Sequence, residues 1–216
     1  AEAVVQPLDL EFWIGLPDEK QSLVVPMIKR RFSANGPQSL FLKTAMDDRQ
    51  SPAALFLFNG GARQASDPDY LKAEVPAANG VSNGRGLAHL YRPLSLGGRY
   101  GEVKLADEKS LERMVRVSMA TRLDATLMMP TRFSLGFMKS IDNRYLKTNP
   151  PTDSAILGEN AFGHVGMGGS IGFADPAFGL SFGYAMNKMG EGILLNDRGQ
   201  SLVNASYESL GHGLRV

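Results

Sequence analysis

Residues 163–187 constrain the fold more than any other stretch of this chain. Gly163-His164-Val165-Gly166-Met167-Gly168-Gly169-Ser170-Ile171-Gly172-Phe173 is a Gly-rich run that Asp175-Pro176 closes. Beyond it, Phe178, Leu180, Phe182, Tyr184 and Met186 alternate with Gly179, Ser181, Gly183 and Ala185. A period of two is the pattern of a strand. Pro176 cannot donate to a ladder and suits a turn. The pattern therefore predicts an antiparallel hairpin of residues 163–173 and 178–188, turned at Asp175-Pro176. Its small-residue face leaves room for a helix. Residues 197–210 supply one, with Val203, Ser206, Tyr207 and Leu210 on one face and Gly211 as the stop. Glycines in a strand also let a ligand approach the backbone closely.

Upstream the pattern is helical and irregular. Residues 18–25 read as a short helix halted by Pro26, and residues 55–58 as a strand or turn before Asn59-Gly60-Gly61. Residues 59–83 read as a long loop. Leu87, Leu90, Tyr91 and Leu94 share a helix face before Gly97-Gly98, and Asp107 can cap a helix carrying Leu111, Met114 and Val115. Phe133, Leu135 and Phe137 alternate as in a strand. Helices and loops over 1–130, then strands and a terminal helix over 131–216, read as an α+β fold with an antiparallel sheet flanked by helices.

Composition removes several classes of function. A net charge of +1 leaves no electrostatic footprint for nucleic acid, and Lys29-Arg30-Arg31 is the one tight basic run. The absence of cysteine excludes disulfides, thiolate metal sites and a cysteine nucleophile, but does not fix the compartment. No apolar run reaches the roughly 18 residues of a membrane span. His89, His164 and His212 are too scattered for a metal site, and no cofactor motif is present.

Four segments together carry a resemblance. They are Pro7-Leu8-Asp9-Leu10-Glu11-Phe12-Trp13, Pro76-Ala77-Ala78-Asn79-Gly80 with Gly86-Leu87-Ala88-His89-Leu90-Tyr91, Thr131-Arg132-Phe133-Ser134-Leu135-Gly136-Phe137, and His164-Val165-Gly166. In this order and spacing the chain resembles the serine β-lactamase and penicillin-binding-protein superfamily. It looks most like the branch of class C β-lactamases and family VIII carboxylesterases. There His-x-Gly often replaces Lys-Thr-Gly as the third active-site motif. Asp9 stands where the family has Gly. The resemblance implies a helical lobe beside the sheet and an acyl-enzyme mechanism on a small ester or amide. It implies that His164 recognises substrate or supports proton transfer, with a charge that varies near neutrality as lysine's would not. It implies that the Met167 backbone N–H is an oxyanion donor. Gly166, Gly168 and Gly169 would allow close approach of substrate, and Asn79 would border the pocket.

The family nucleophile lies in Ser-x-x-Lys, where lysine activates serine. No serine here has lysine three residues on, and the Tyr-centred second motif is also absent. Both lie upstream of the Pro-Leu segment in the family. The chain thus reads as the C-terminal half of a longer hydrolase, inactive without a partner segment carrying the nucleophile. The alternative is a non-catalytic domain that keeps the fold for binding or assembly. Other signatures are imitations. Gly168-Gly169-Ser170-Ile171-Gly172 and Gly179-Leu180-Ser181-Phe182-Gly183 fit Gly-x-Ser-x-Gly, with Asp197 and His212 downstream. Neither serine precedes a helix as a nucleophile elbow requires. Ser33-Ala34-Asn35 and Lys43-Thr44-Ala45 imitate family motifs out of order. Phe12 and Trp13 suit core packing or the wall of an acyl pocket.

Overall fold

The computed structural model describes residues 2–28, 38–59, 65–148 and 153–214. Lys29-Arg30-Arg31, Ser33-Ala34-Asn35 and Gly60-Gly61 lie outside the described residues. The chain opens with β1 (Phe12–Trp13) and a 3-10 turn at Asp18–Leu23. Short capped helices follow. Ser39 accepts the Leu42 N–H ahead of α1 (Leu40–Asp47), and Ser51 accepts the Ala54 N–H ahead of α2 (Pro52–Phe58). Asp67 accepts the Asp69 N–H ahead of α3 (Pro68–Lys72). Pro52 and Pro68 stand at the first helical positions, where no N–H is needed. β2 (Val81–Ser82) returns antiparallel to β1.

Asn83 caps α4 (Gly84–Ser95), β3 (Arg99–Tyr100) pairs with β4 (Val103–Lys104), and Asp107 caps α5 (Glu108–Val115). The sheet then forms from β5 (Met119–Thr121), β6 (Thr131–Phe133), β7 (Met138–Lys139), β8 (Phe162–Gly166), β9 (Ser170–Asp175) and β10 (Leu180–Tyr184). Each strand pairs antiparallel with the one before it, so the spatial order is the sequence order. α6 (Asp197–Ser209) ends the fold. Among the described residues no helix is long and apolar enough to cross a membrane.

The sheet is buried on both faces. On one, Ile171, Phe173 and Phe182 meet Val203 and Tyr207 of α6. Phe173 stacks on Phe182 at 5.3 Å and on Tyr207 at 6.1 Å between ring centroids. Burial of rings of this size contributes about 2–3 kcal/mol apiece. On the other face, Phe162 and Ala174 meet Leu94 of α4 and Leu111 of α5. A polar lock joins sheet to helix. The Tyr207 hydroxyl donates to Asp175 Oδ2 at 2.7 Å and accepts the Gly158 N–H at 3.0 Å.

The α+β class, α4, the Asp107-capped helix and the terminal helix stand as the sequence implies. Five expectations are corrected. Residues 163–173 are not one strand: the chain reverses at Met167-Gly168-Gly169, and β8 pairs back on β9. Gly168 (φ +94°) and Gly169 (φ +109°) provide the left-handed backbone that this turn needs. The terminal helix does not cover the small-residue face. α4 does, because a Cβ on Gly183 would strike the Gly84 carbonyl and the Ala88 nitrogen. α6 takes the opposite face, where the large rings supply more apolar area. Residues 55–58 are helical, since Ser51 and Pro52 start a helix that absorbs the apolar run. Residues 133–137 are a strand end and a turn, with Ser134 N–H donating to the Phe137 carbonyl at 2.8 Å. Finally, residues 59–83 are not all loop, since α3 (Pro68–Lys72) and β2 (Val81–Ser82) fall within them.

Candidate active site

β8 positions His164. Its upstream end is clamped by Lys139 of β7, which is buried, with Nζ donating to the Glu159 carbonyl at 2.9 Å and the Ala161 carbonyl at 2.6 Å. Burial pushes the Lys139 pKa down to about 8, against the opposing attraction of Glu159. On its β9 side, His164 pairs with Gly172. The Tyr91 ring lies so close over Gly172 that a Cβ there would meet Tyr91 Cε2 at 2.6 Å. Burial raises the Tyr91 hydroxyl pKa to about 12.

β7 covers only half of β8. Met138 pairs with Gly163 and Lys139 with Phe162, and no residue of β7 pairs with His164, Val165 or Gly166. Among the described residues this half of β8 has no strand partner on its β7 side, and such an edge can take an extended ligand. His164 is exposed there, beside the Phe133 ring at 6.4 Å. Its Nδ1 lies 2.8 Å from the Val165 carbonyl oxygen. A carbonyl only accepts, so Nδ1 carries the hydrogen. The neutral ring then presents a lone pair at Nε2.

The turn after β8 is built to hold its backbone in place. Gly169 N–H donates to the Gly166 carbonyl at 3.0 Å. The Gly168 carbonyl accepts the Gly190 N–H and Asn196 Nδ2, each at 2.9 Å. Side chains at Gly168 or Gly169 would run into Met186, Met189 and Asn196. These glycines thus serve the turn and its packing, and both are buried. Met167 stays exposed, and among the described residues its N–H makes no backbone hydrogen bond.

His164, Val165 and Met167 line a cavity of about 270 Å³. Phe56, Leu127, Phe133 and Ile193 give it apolar walls, and Asp124 and Thr126 add polar groups. Asp124 was not distinguished by any sequence motif. Its Oδ1 accepts the Thr126 N–H at 2.8 Å and the Leu127 N–H at 2.9 Å, and its Oδ2 accepts the Thr131 hydroxyl at 3.1 Å. A larger cleft of about 410 Å³, lined by Arg113, Arg116 and Leu135, contains none of the expected site residues.

The structure brings His164, Gly166 and Met167 together but does not bring Asn79 to them. Asn79 is buried, with Nδ2 donating to the Tyr70 and Ala73 carbonyls at 2.6 Å each and Oδ1 accepting the Val75 N–H at 3.1 Å. It fastens its own loop and is absent from the cavity wall. Phe12 and Trp13 are absent from it too. Ser170 and Ser181 lie in strands, neither at a strand-to-helix turn. His212 lies past α6 against the Phe178 ring at 4.6 Å. No nucleophile elbow forms around either serine.

Comparison with known proteins gives a consistent result. A family model described as beta-lactamase matches residues 11–203. The esterase/beta-lactamase LipL of Mycobacterium tuberculosis is 32% identical over 127 residues, covering 59% of this chain and 27% of that protein. A family VIII carboxylesterase of known structure is 31% identical with a TM-score of 0.72, covering 96% of this chain and 50% of the other. A penicillin-binding-protein homologue from Caulobacter crescentus is 29% identical with a TM-score of 0.74, covering 96% and 51%. The chain thus spans about half the length of these solved structures.

Proposed function

Because the chain belongs to the β-lactamase family, we propose that it is the C-terminal part of a serine hydrolase, an esterase or β-lactamase-like enzyme acting through an acyl-enzyme. One observation carries the reading. His164 sits on the half of β8 that β7 leaves unpaired, next to a turn whose Met167 N–H makes no backbone hydrogen bond among the described residues, over a largely apolar cavity. The serine would come from residues beyond these, since no Ser-x-x-Lys is present. Its oxygen attacks the ester carbonyl, and charge develops on the carbonyl oxygen. The Met167 N–H meets that charge, a kind of contact worth roughly 3 kcal/mol in preorganised sites. The acyl chain lies against Phe133 and Leu127. The proton that the serine gives up on attack passes through the proton-transfer network to the leaving alkoxide, and water then cleaves the acyl-enzyme, releasing the acid and restoring the serine. His164 Nε2, as a lone pair, accepts a hydrogen bond from a hydroxyl of the proton-transfer network. The esterase form is favoured, because His164 stands where the family's usual lysine would offer a fixed cation for a carboxylate.

The test is covalent trapping. A fluorophosphonate probe and a short-chain p-nitrophenyl ester are applied to the full-length protein and to residues 1–216 alone. The expected result is hydrolysis and one labelled serine in the full-length protein, and neither in the shorter chain. Full-length protein that is folded and unreactive would favour a binding or assembly domain. Labelling of Ser170 or Ser181 would place the nucleophile inside this chain.

A further inference from the structure

We propose that the cavity beside His164 selects acyl groups by charge, with Asp124 as the residue that excludes anionic ones; this rests on the functional reading above. Of the residues lining the cavity, only Asp124 and His164 can carry charge. Among the described residues, the surrounding elements contribute no cation to the wall. β6 provides Phe133, and residues 193–194 provide Ile193 and Leu194. The Asp124 carboxylate cannot swing away, because three donors from Thr126, Leu127 and Thr131 hold both of its oxygens. No lysine or arginine forms an ion pair with it among the described residues.

A substrate carboxylate entering the cavity meets the fixed carboxylate of Asp124, whereas an uncharged acyl chain carries no charge to be repelled and lies against Phe133, Leu127 and Val165. The substrate class is therefore an uncharged ester with a short or medium apolar acyl group. Acyl groups that carry a carboxylate are disfavoured.

The experiment compares two esters in the full-length protein: p-nitrophenyl hexanoate and the p-nitrophenyl monoester of adipic acid, which adds a terminal carboxylate. The quantity read is the ratio of their kcat/KM values. The wild-type ratio should favour hexanoate by about tenfold at low salt and shrink as ionic strength rises, as a charge effect across a partly open cavity requires. Asp124→Asn keeps an acceptor for the Thr126 and Leu127 N–H groups and should lower the ratio about fivefold. If that variant does not fold, the salt series on the wild type decides the matter. Hexanoate turnover with a ratio near one, or a ratio insensitive to salt, overturns the inference and leaves the hydrolase reading standing. No turnover of either ester overturns the hydrolase reading and this inference with it.

Discussion

Removing one hydroxyl from the core should cost this protein a large part of its stability. Tyr207 and Asp175 are both fully buried, and the Tyr207 hydroxyl bridges Asp175 Oδ2 and the Gly158 N–H. Tyr207→Phe keeps the ring that stacks on Phe173 and leaves both polar partners in place. A hydrogen bond to a charged group contributes about 1.5–3 kcal/mol, and an orphaned buried donor costs about 1–3 kcal/mol. Together they span about 2.5–6 kcal/mol, with no packing loss to add. For a domain of this size that lowers Tm by roughly 10 °C. Urea unfolding followed by far-UV circular dichroism measures it, with an unchanged m-value as the sign that the unfolded state is unaffected. Asp175→Asn and the double variant complete a cycle, in which the two effects should be strongly non-additive. A loss under about 1 kcal/mol would show that Gly158 and Asp175 find other partners, and the lock would then be incidental.

Other expectations follow from the same structure. Gly183→Ala should destabilise by about 1–3 kcal/mol through collision of α4 with β10, whereas Ser181→Ala in the same strand should be close to neutral, both read by urea midpoint. Lys139, pushed down to about 8 from 10.5, is harder to protonate folded than unfolded, so its contribution is lost as pH falls to 8 and regained as pH rises toward 10.5. The stability gap between wild type and Lys139→Met should therefore move by about 3 kcal/mol in favour of wild type across that range, and a constant gap would contradict the burial argument. Tyr91, raised to about 12, acts oppositely: its contribution is intact below pH 10 and fades above it, so Tyr91→Phe should blunt alkaline unfolding. If the proposed function holds, Met167→Ala in the full-length protein should leave kcat/KM nearly unchanged, while Met167→Pro, which lacks the N–H, should lower it by about 10²–10³.

The helices of this fold were legible where a cap and a stop bracket an apolar face. Asp107 opens α5, Gly97 and Gly98 follow α4, and Gly211 ends α6. α2 was misread because a short apolar run suits strand and helix alike, although Ser51-Pro52 carried the signal. The Gly-rich run was misread because glycines at 168 and 169 continue an alternating pattern while reversing the chain. The face chosen by each helix was beyond the sequence. Gly183 and Gly172 tell of close approach, but not that α4 makes it. At the site, the His164 triplet was visible as a family resemblance. Asn79 was an equally good loop residue on paper, and only coordinates show that its amide is fully used nearby. Asp124 was hidden for a different reason: nothing in Leu123-Asp124-Ala125-Thr126 says that this turn folds beside a strand far downstream.

The account rests most heavily on His164 as part of an acyl-transfer site, and one kinetic comparison tests that. kcat/KM for an uncharged p-nitrophenyl ester is measured for the full-length protein and for His164→Ala, with melting curves of both. The side chain is exposed and bonds only the adjacent Val165 carbonyl, so the two proteins should melt together. Activity should fall by about 10²–10⁴, the range for loss of a group that supports proton transfer. Equal activity in wild type and His164→Ala would contradict the site, and with it the claim that β8 forms the substrate side of a hydrolase.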